Sequence, residues 1–382
     1  MLPPSCLTFD KMNLYFGILL EFFISLLVHV MAIKAQSCPY SSFTWISNMH
    51  DDNPYFWKSP SFNWNATSTI AVFGDITSSQ DRIEMRDYAQ SLGIPVVIAV
   101  GTGDLDFNNQ TERKVWIDST IQYMKDQKVN GINLDYEGNN PNLTDGYNDL
   151  AVELCETVHS DSDAYIANSQ ISIDVPIYPE YEGRNYDYKR MADKCDILFI
   201  MAYDGEFWDN VQCASKKSNV PCSLATASIE VVEYGVKAYI DQGIAPSSLH
   251  LGLPWYGLKY EYVAHIPFFT GQIRYQDILN LIKTAQYQGK GTLEMDSKSS
   301  TWIFNCDGKC SQWSDLITDR SSEIWFDDYE SLYPKYEIAT KYQLRGVGMW
   351  EATYVDYDPE QHTADADAMW NSLCQQKYQI GA

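Results

Sequence analysis

Positive charge is scarce in this sequence: 27 lysine and arginine residues stand against 51 aspartate and glutamate residues, and the formal net charge is −24 at pH 7. Such a chain would repel a nucleic acid, and no basic stripe offsets the repulsion. The chain also lacks long polar tracts, low-complexity linkers and internal repeats. Because 45% of its 382 residues are hydrophobic, it is expected to be ordered, with either one large domain or two ordinary ones.

Metal and nucleotide signals are absent as well. No glycine-rich phosphate loop follows a predicted strand, so no nucleotide cofactor is expected. Zinc at Cys306 and Cys310 is an alternative to a disulfide there, but no second close pair of cysteines or histidines accompanies them. Once Cys6 is set aside, the remaining eight cysteines form an even set, which is typical of disulfides in an oxidising compartment. Cys213–Cys222 and Cys306–Cys310 are the first candidate pairs, although spacing does not fix connectivity.

The N-terminus resembles a secretory signal. Leu14–Val30 is mostly apolar, a lysine precedes it, and the small residues Ala32 and Ala35 offer cleavage points. A glutamate and a histidine within the apolar stretch weaken the alternative of a membrane anchor, and a buried helix is a further alternative. We therefore predict a signal peptide at 1–35, with Met12 as a second candidate start.

Three sequons support a route through the secretory pathway. Asn65, Asn109 and Asn142 each begin an Asn-x-Thr triplet and are candidate glycosylation sites. We therefore expect a glycoprotein that is lysosomal or extracellular and has no membrane association after its signal is removed.

Short apolar runs alternate with longer amphipathic stretches along the rest of the chain, which predicts βαβ units and a parallel sheet. The predicted strands are Ile70–Phe73, Val96–Val100, Ile132–Leu134, Ile171–Val175, Ile197–Met201, Leu249–Leu253 and Val347–Trp350. The predicted helices are Arg82–Leu92, Glu112–Gln127, Asp145–His159, Ala225–Gln242 and Tyr333–Tyr342. Seven such strands favour an α/β fold of the (β/α)8 TIM-barrel type over an open sheet.

Two segments need separate treatment in a barrel. The first strand must come from a polar segment, where we predict Phe43–Ile46. The connection from Leu253 to Val347 is too long for a simple βα loop, so an inserted α+β segment at about 258–332 is predicted on the upper rim, between strands 7 and 8. The whole of 36–382 is then a single catalytic domain.

The stretch Asn130–Glu137 (NGINLDYE) carries the candidate chemistry. Because side chains alternate along a strand, Asn133, Asp135 and Glu137 share one face, and the apolar residues between them share the other. The apolar face suits packing beneath the helices, so the polar face is predicted to point into the barrel. Glu137 comes last, at the strand end where barrel enzymes place their active sites. Catalysis is therefore favoured over an incidental acid.

Four motifs, in order and at barrel-compatible spacing, resemble those of the family 18 glycoside hydrolases, the chitinase family. Asn130–Glu137 is similar to the D-G-x-D-x-D-x-E signature, and Met201–Asp204 (MAYD) to M-x-Y-D. Pro254–Gly257 (PWYG) and Leu344–Trp350 (LRGVGMW) resemble the motifs at the last two strands. The likeness extends over most of the mature chain and is greatest to the chitobiase branch of the family.

The resemblance implies a retaining, substrate-assisted hydrolysis of β-1,4 N-acetylglucosamine linkages, without metal or cofactor. Glu137 would protonate the glycosidic oxygen, Asp135 would orient and stabilise the acetamido group of the substrate, and Tyr203 would hydrogen-bond the acetamido oxygen. Because the acetamido oxygen attacks the anomeric carbon, only one acid transfers a proton. Substrate contacts are implied for Asn133, Met201, Asp204, Trp255, Tyr256 and Trp350, the last as an apolar floor beneath the sugar.

Two aspartates of the family signature are asparagines here. Asn133 cannot take up a proton, and its amide is expected to donate to Asp135 and favour the charged carboxylate. Asn130 is expected to order the start of the strand.

Three functions fit these motifs. The preferred one is exo-action, the removal of one N-acetylglucosamine from a chitobiose-containing oligosaccharide of N-linked glycan or chitin. A secreted endochitinase would need an open cleft lined by aromatic residues. A non-catalytic chitinase-like lectin usually lacks the terminal acid, which Glu137 supplies here. We expect an oligosaccharide as the partner and a monomeric protein.

Overall fold

The structure, a computed structural model, describes residues 38, 40–47, 56–204, 223–263, 266–287, 291–306, 322–358 and 363–374. The predicted signal peptide and Cys213, Cys222 and Cys310 lie outside these ranges. The chain divides into Met1–Cys38 and Pro39–Ala382, and the architecture below belongs to the second unit. Among the residues described, no helix is long and apolar enough to cross a membrane.

Eight parallel strands close into a barrel, which confirms the (β/α)8 prediction. Around the barrel the neighbours follow the order β1-β13-β7-β6-β5-β4-β3-β2, and the other five strands form a separate sheet. The strands are β1 (Ser41–Ile46), β2 (Thr69–Val72), β3 (Val96–Val100), β4 (Gly131–Leu134), β5 (Gln170–Pro176), β6 (Ile197–Met201), β7 (Leu249–Pro254), β8 (Tyr256–Val263), β9 (Ile266–Arg274), β10 (Thr292–Asp296), β11 (Thr301–Cys306), β12 (Ser322–Phe326) and β13 (Gly346–Trp350).

Helices follow the barrel strands in the alternation that the sequence predicts. In the described ranges they are α1 (Gln80–Ser91), α2 (Gln110–Gln127), α3 (Thr144–His159), α4 (Ala164–Ala167), α5 (Tyr188–Ala192), α6 (Ile229–Asp241), α7 (Tyr275–Tyr287), α8 (Tyr329–Tyr342) and α9 (Thr363–Leu373). Local sequence fixes their ends. The side chain of Asn109, for example, accepts from the backbone N–H groups of Thr111 and Glu112 and so caps the start of α2.

The polar first segment does form a strand, β1, which starts two residues before the predicted Phe43. It pairs in parallel with β13 on one side and β2 on the other, and so closes the barrel. Phe43 and Trp45 are fully buried, and both pack on Phe199 of β6, with the ring centroids of Phe43 and Phe199 5.0 Å apart. Inward-facing aromatic residues thus compensate for the polar character of this strand.

The start of β4 is ordered by Asn130, as the sequence predicts. Its side-chain oxygen accepts from the backbone N–H of Val96 at 3.1 Å and from Nε2 of Gln90 at 2.8 Å. One amide therefore ties the entry of β4 to β3 and to helix α1.

Two glycines make room for Phe199 in the lumen. Gly252 of β7 and Gly348 of β13 are paired across the sheet. A Cβ added at Gly252 would lie 2.2 Å from Cζ of Phe199, and one at Gly348 would lie 2.6 Å from its Cε2. The close approach of this ring requires glycine at both positions.

Gly252→Ala is therefore expected to reduce the free energy of unfolding by about 1–3 kcal/mol, because the added methyl group overpacks the lumen. Urea unfolding measures the change. Gly101→Ala is the matched control, since a Cβ there would meet nothing within 4 Å. Adding Phe199→Leu to Gly252→Ala should recover part of the loss; equal destabilisation by both glycine variants would contradict the explanation.

The segment between β7 and β13 carries an antiparallel sheet, which we call the rim sheet. Its strand order is β10-β11-β12-β8-β9, and helix α7 follows β9 in the chain. The rim sheet begins at Tyr256, two residues after β7 ends, so the chain passes directly from the barrel wall into the sheet.

A buried ion pair ties the rim sheet to helix α8. Nζ of Lys335 lies 2.5 Å from Oδ1 of Asp327 and 3.1 Å from the hydroxyl of Thr301, which begins β11. Both charged side chains are fully buried. Asp327 follows β12, so one lysine connects two strands of the rim sheet to a barrel helix.

One disulfide joins Cys155 of α3 to Cys195, just before β6, with their Cα atoms 5.3 Å apart. Cys374 also takes part in a disulfide. The local pairs suggested by spacing did not anticipate Cys155–Cys195, because these residues are 40 positions apart and meet only when the barrel forms. In the described part of the chain, no group of three His, Cys, Asp or Glu residues could hold a metal ion.

Candidate active site

The lumen at β4 and β5 contains a buried polar ladder. Asn133 is opposite Ser172 in the strand register. Its Nδ2 donates to Oγ of Ser172 at 3.1 Å and to Oδ1 of Asp174 at 2.9 Å. All three side chains are buried. The inward orientation predicted for Asn133 is therefore observed.

The predicted hydrogen bond from Asn133 to Asp135 is wrong. Asn133 donates both of its amide hydrogens to residues of the neighbouring strand β5, Ser172 and Asp174. The reason is the parallel pairing, which places β5 side chains closer to Asn133 than the next inward residue of its own strand. Asp174 was not predicted, although a lone acid inside the apolar run Ile171–Val175 was a usable signal.

Asp135 lies one residue beyond β4, where its backbone N–H still bonds to the carbonyl of Val100 at 3.1 Å. Its Oδ1 is buried and has no hydrogen-bond partner among the described residues. Burial, together with the charge of Glu137, raises the pKa of Asp135 to about 7, and Arg184 acts in the opposite direction. Burial thus disfavours the charged form of this carboxyl unless a neighbouring group stabilises it.

Glu137 lies past the strand rather than on it, since β4 ends at Leu134. The strand alternation assumed in the prediction therefore does not determine the direction of this side chain. The Glu137 side chain is 54% exposed, and its Oε2 accepts from Nη1 of Arg184 at 3.0 Å. A half-exposed carboxyl at the barrel mouth can reach a bound substrate.

Arg184 holds two acids and was missed in the sequence. Its guanidinium donates through Nη1 to Glu137 and through Nη2 to Glu182 at 3.0 Å, and its side chain is only 7% exposed. Glu182 and Gly183 both have positive φ angles, 52° and 80°. This left-handed turn directs the following residue, Arg184, back over the barrel mouth. No motif marks this loop.

A pocket of about 130 Å³ opens at this point. Its lining includes Glu137, Arg184, Met201, Tyr203 and Asp204. The structure thus brings Glu137 together with Met201, Tyr203 and Asp204 at one cavity, whose lining does not include Asn133 or Asp135. No hydrogen bond of the Tyr203 hydroxyl occurs within the described ranges, so this donor is available to a ligand.

Asp204 connects the barrel to the rim sheet. Its Oδ1 accepts from the hydroxyl of Tyr256 at 2.6 Å, and its Oδ2 accepts from Nε2 of Gln272 at 3.1 Å. Burial raises the pKa of Asp204 to about 6, while these two hydrogen bonds oppose the rise. Tyr256 is itself buried, so the structure assigns it to holding Asp204.

Trp350 forms part of an aromatic surface at the barrel mouth. Its ring centroid lies 5.2 Å from that of Trp45, 5.7 Å from Phe73 and 6.4 Å from Tyr203. Phe73 is 37% exposed and was not among the predicted site residues. The geometry fits an apolar floor that Phe73 extends.

Trp255 is not part of the site. It is fully buried, its ring packs on Trp370 of α9 at 5.3 Å, and its Nε1 donates to the hydroxyl of Tyr336 at 3.3 Å. Tyr256 instead contacts Asp204 and Tyr203, so the two neighbours in the chain have different surroundings. The structure therefore separates two residues that the PWYG motif placed together.

Comparison with known proteins decides the family. The sequence profile of "Glycosyl hydrolases family 18" matches residues 42–355, most of the chain. The chain belongs to glycosyl hydrolases family 18. This family 18 protein is a glycosidase, and the match includes all of the predicted site residues.

Curated relatives of the family 18 chain carry one recurring name. A di-N-acetylchitobiase from Rattus norvegicus is 28% identical over 390 residues, which cover 93% of this chain and 98% of the relative. The di-N-acetylchitobiase from Homo sapiens is 28% identical, and the alignment covers 83% of this chain and 80% of the relative. A probable di-N-acetylchitobiase from Dictyostelium discoideum is 25% identical.

Solved structures share the fold at low identity. A Chromobacterium violaceum chitinase aligns with a TM-score of 0.65 at 14% identity, over 89% of this chain and 99% of that one. A Cycas revoluta family 18 chitinase, solved with (GlcNAc)3, aligns with a TM-score of 0.64 at 15% identity, over 88% and 98% of the two chains. These matches support the architecture alone.

Proposed function

We propose that this family 18 glycosidase hydrolyses β-1,4 linkages of N-acetylglucosamine and acts as an exo-acting chitobiase on oligosaccharides of N-linked glycans or chitin. The observation that carries the proposal is the half-exposed acid Glu137, which lines the pocket, together with the buried acid Asp135 two residues before it in the chain. The names of the curated relatives supply the substrate class.

In the proposed reaction the acetamido oxygen of the substrate forms a bond to the anomeric carbon as the glycosidic bond breaks. The proton of Glu137 passes to the departing oxygen. Asp135 orients the acetamido N–H and opposes the positive charge that develops there, while the Tyr203 hydroxyl donates to the acetamido group. Water then attacks the anomeric carbon from the side opposite the acetamido oxygen, and the bond between that oxygen and the carbon breaks. One proton of the water passes to the carboxylate of Glu137, and the configuration is retained.

Arg184 adds a condition to this reaction. A carboxylic acid that donates a proton is uncharged, so the charge-assisted contact of Arg184 with Glu137 has to weaken in the productive complex. Glu182 keeps a second contact with the same guanidinium and can hold it when Glu137 turns to the substrate.

An endochitinase is the second candidate, and the rim sheet is the observation that favours it. Tyr262 and Trp325 lie on the face of the rim sheet that continues from Trp350. Both donate to Oε2 of Glu323, at 2.6 Å and 2.9 Å. A longer chain of sugars could stack along these rings.

Product analysis separates the candidates. Purified protein is incubated with chitobiose-type oligosaccharides and with long chitin oligomers, from acidic to neutral pH. We expect single N-acetylglucosamine units released from the reducing end, and Trp325→Ala should reduce kcat/KM for long and short substrates to a similar extent. Internal cleavage, with a loss in Trp325→Ala that grows with chain length, would establish the endochitinase. Binding without turnover would establish a lectin.

The same proposal places the protein in the secretory pathway, in a lysosome or outside the cell. The Cys155–Cys195 disulfide supports an oxidising compartment. Asn65, Asn109 and Asn142 are all exposed, as N-glycosylation requires.

A further inference from the structure

The carboxyl of Asp174 is buried in the lumen and has no role in the reaction described so far. The hydrogen-bond donor described for it is the neutral amide of Asn133, at 2.9 Å. A neutral amide does not cancel the cost of burying a negative charge. Arg184, a cation of the site, is directed to Glu137 and Glu182 instead.

The strand register places Asp174 beside Asp135. Leu134, the last residue of β4, is opposite Ile173, so extending this register by one residue places Asp135 beside Asp174. The side chain of Asn133 points into the lumen, where it contacts β5. Because side chains alternate along a strand, the residue two positions further on, Asp135, faces the lumen as well. Neighbouring strands are about 4.8 Å apart, a distance at which two buried carboxyls are not both ionised.

We propose that Asp174 is the positioning residue for Asp135, and that the two carboxyl groups share one proton across the seam between β4 and β5. Asp174 keeps the proton and donates its O–H to Asp135, while its Oδ1 accepts from Asn133. The unpartnered buried oxygen of Asp135 then receives a hydrogen bond. Asp135 is anionic next to a neutral acid.

The surrounding charges agree with a pair that holds one proton. Burial, then the charge of Asp135, raises the pKa of Asp174 well above its usual value. The other titratable groups that interact with the pair are Glu137 beyond β4, Arg184 beyond β5, Tyr203 beyond β6 and Tyr147 on α3. Arg184 is the one cation among them and opposes the rise only at Asp135.

The role of the shared proton in the reaction rests on the proposed function. When positive charge develops on the acetamido group, Asp135 must already be anionic to oppose it. With the proton held on Asp174, this requires no proton uptake or release by the pair. Glu137 remains the group whose proton moves to the substrate.

Three variants test this role through the pH dependence of kcat/KM. Asp174→Asn keeps a neutral donor towards Asp135 at every pH, so we expect activity to be retained and the alkaline limb to move to higher pH by about one unit. Asp174→Ala supplies no donor and should lose most of the activity. Ser172→Ala removes the other acceptor of Asn133 without removing a charge. Both limbs of its pH profile should therefore coincide with those of the wild type. An Asp174→Asn profile that coincides with the wild type would overturn the proposal.

A second measurement needs no activity. Because the pKa of Asp174 is raised in the folded state, the stability it contributes is present at low pH and is lost as pH rises through that pKa. The Tm of Asp174→Asn minus that of the wild type is therefore expected to increase from acidic to mildly alkaline pH. A pH-independent difference would refute the shared proton. If this difference appears but no oligosaccharide is cleaved, the proposed function fails and the proton-sharing pair stands.

Discussion

Replacing Glu137 with glutamine is expected to lower kcat on chitobiose-type substrates by about 10²–10⁴-fold, because glutamine has no proton to give to the departing oxygen. KM should change little, since Glu137 lies at the mouth of the pocket and its side chain is half-exposed. Steady-state kinetics across acidic to neutral pH measure both constants.

Glu182→Gln is the matched control for that variant. Glu182 shares the guanidinium of Arg184 with Glu137 and lines the same pocket, but the proposed reaction takes no proton from it. Its loss of activity should be a small fraction of that of Glu137→Gln. The opposite ranking would make Glu182 the proton donor, and equal activity in both variants would place the acid elsewhere.

Replacing Lys335 with methionine is expected to reduce the free energy of unfolding by about 3–5 kcal/mol, because it leaves Asp327 buried without a counter-charge. Burial raises the pKa of Asp327 even with Lys335 present. The stability contributed by a carboxyl with a raised pKa is lost as pH rises, so the deficit of this variant should grow from acidic to neutral pH. Urea unfolding at several pH values measures it.

Two further variants check that explanation. Lys341→Met removes another ion-paired lysine of helix α8, but this one is exposed and pairs with Glu233 at the surface, so stability should be nearly unchanged. Asp327→Asn combined with Lys335→Met removes both buried charges and should recover much of the loss. A double variant as unstable as Lys335→Met would show that packing, rather than an unpaired charge, is responsible.

The barrel was predictable because its signals are local. Apolar runs such as Val96–Val100 and Ile197–Met201 became strands at their predicted bounds. Even the polar first segment formed β1, since closure of the barrel and the burial of Phe43 and Trp45 outweigh its weak propensity. Alternation along the strand likewise predicted that Asn133 points inward, and its side chain lies in the lumen.

The sequence by itself therefore determined the alternating architecture and the acids that follow β4. Only the tertiary structure decided which groups surround them. Asp174 reaches Asn133 through the register of β5 against β4, and Arg184 reaches Glu137 through a left-handed turn. Trp255 packs on Trp370 and Tyr336, whereas Tyr256, the next residue in the chain, holds Asp204. Neighbours along the chain follow from backbone periodicity, whereas neighbours across strands depend on a register that no local motif encodes.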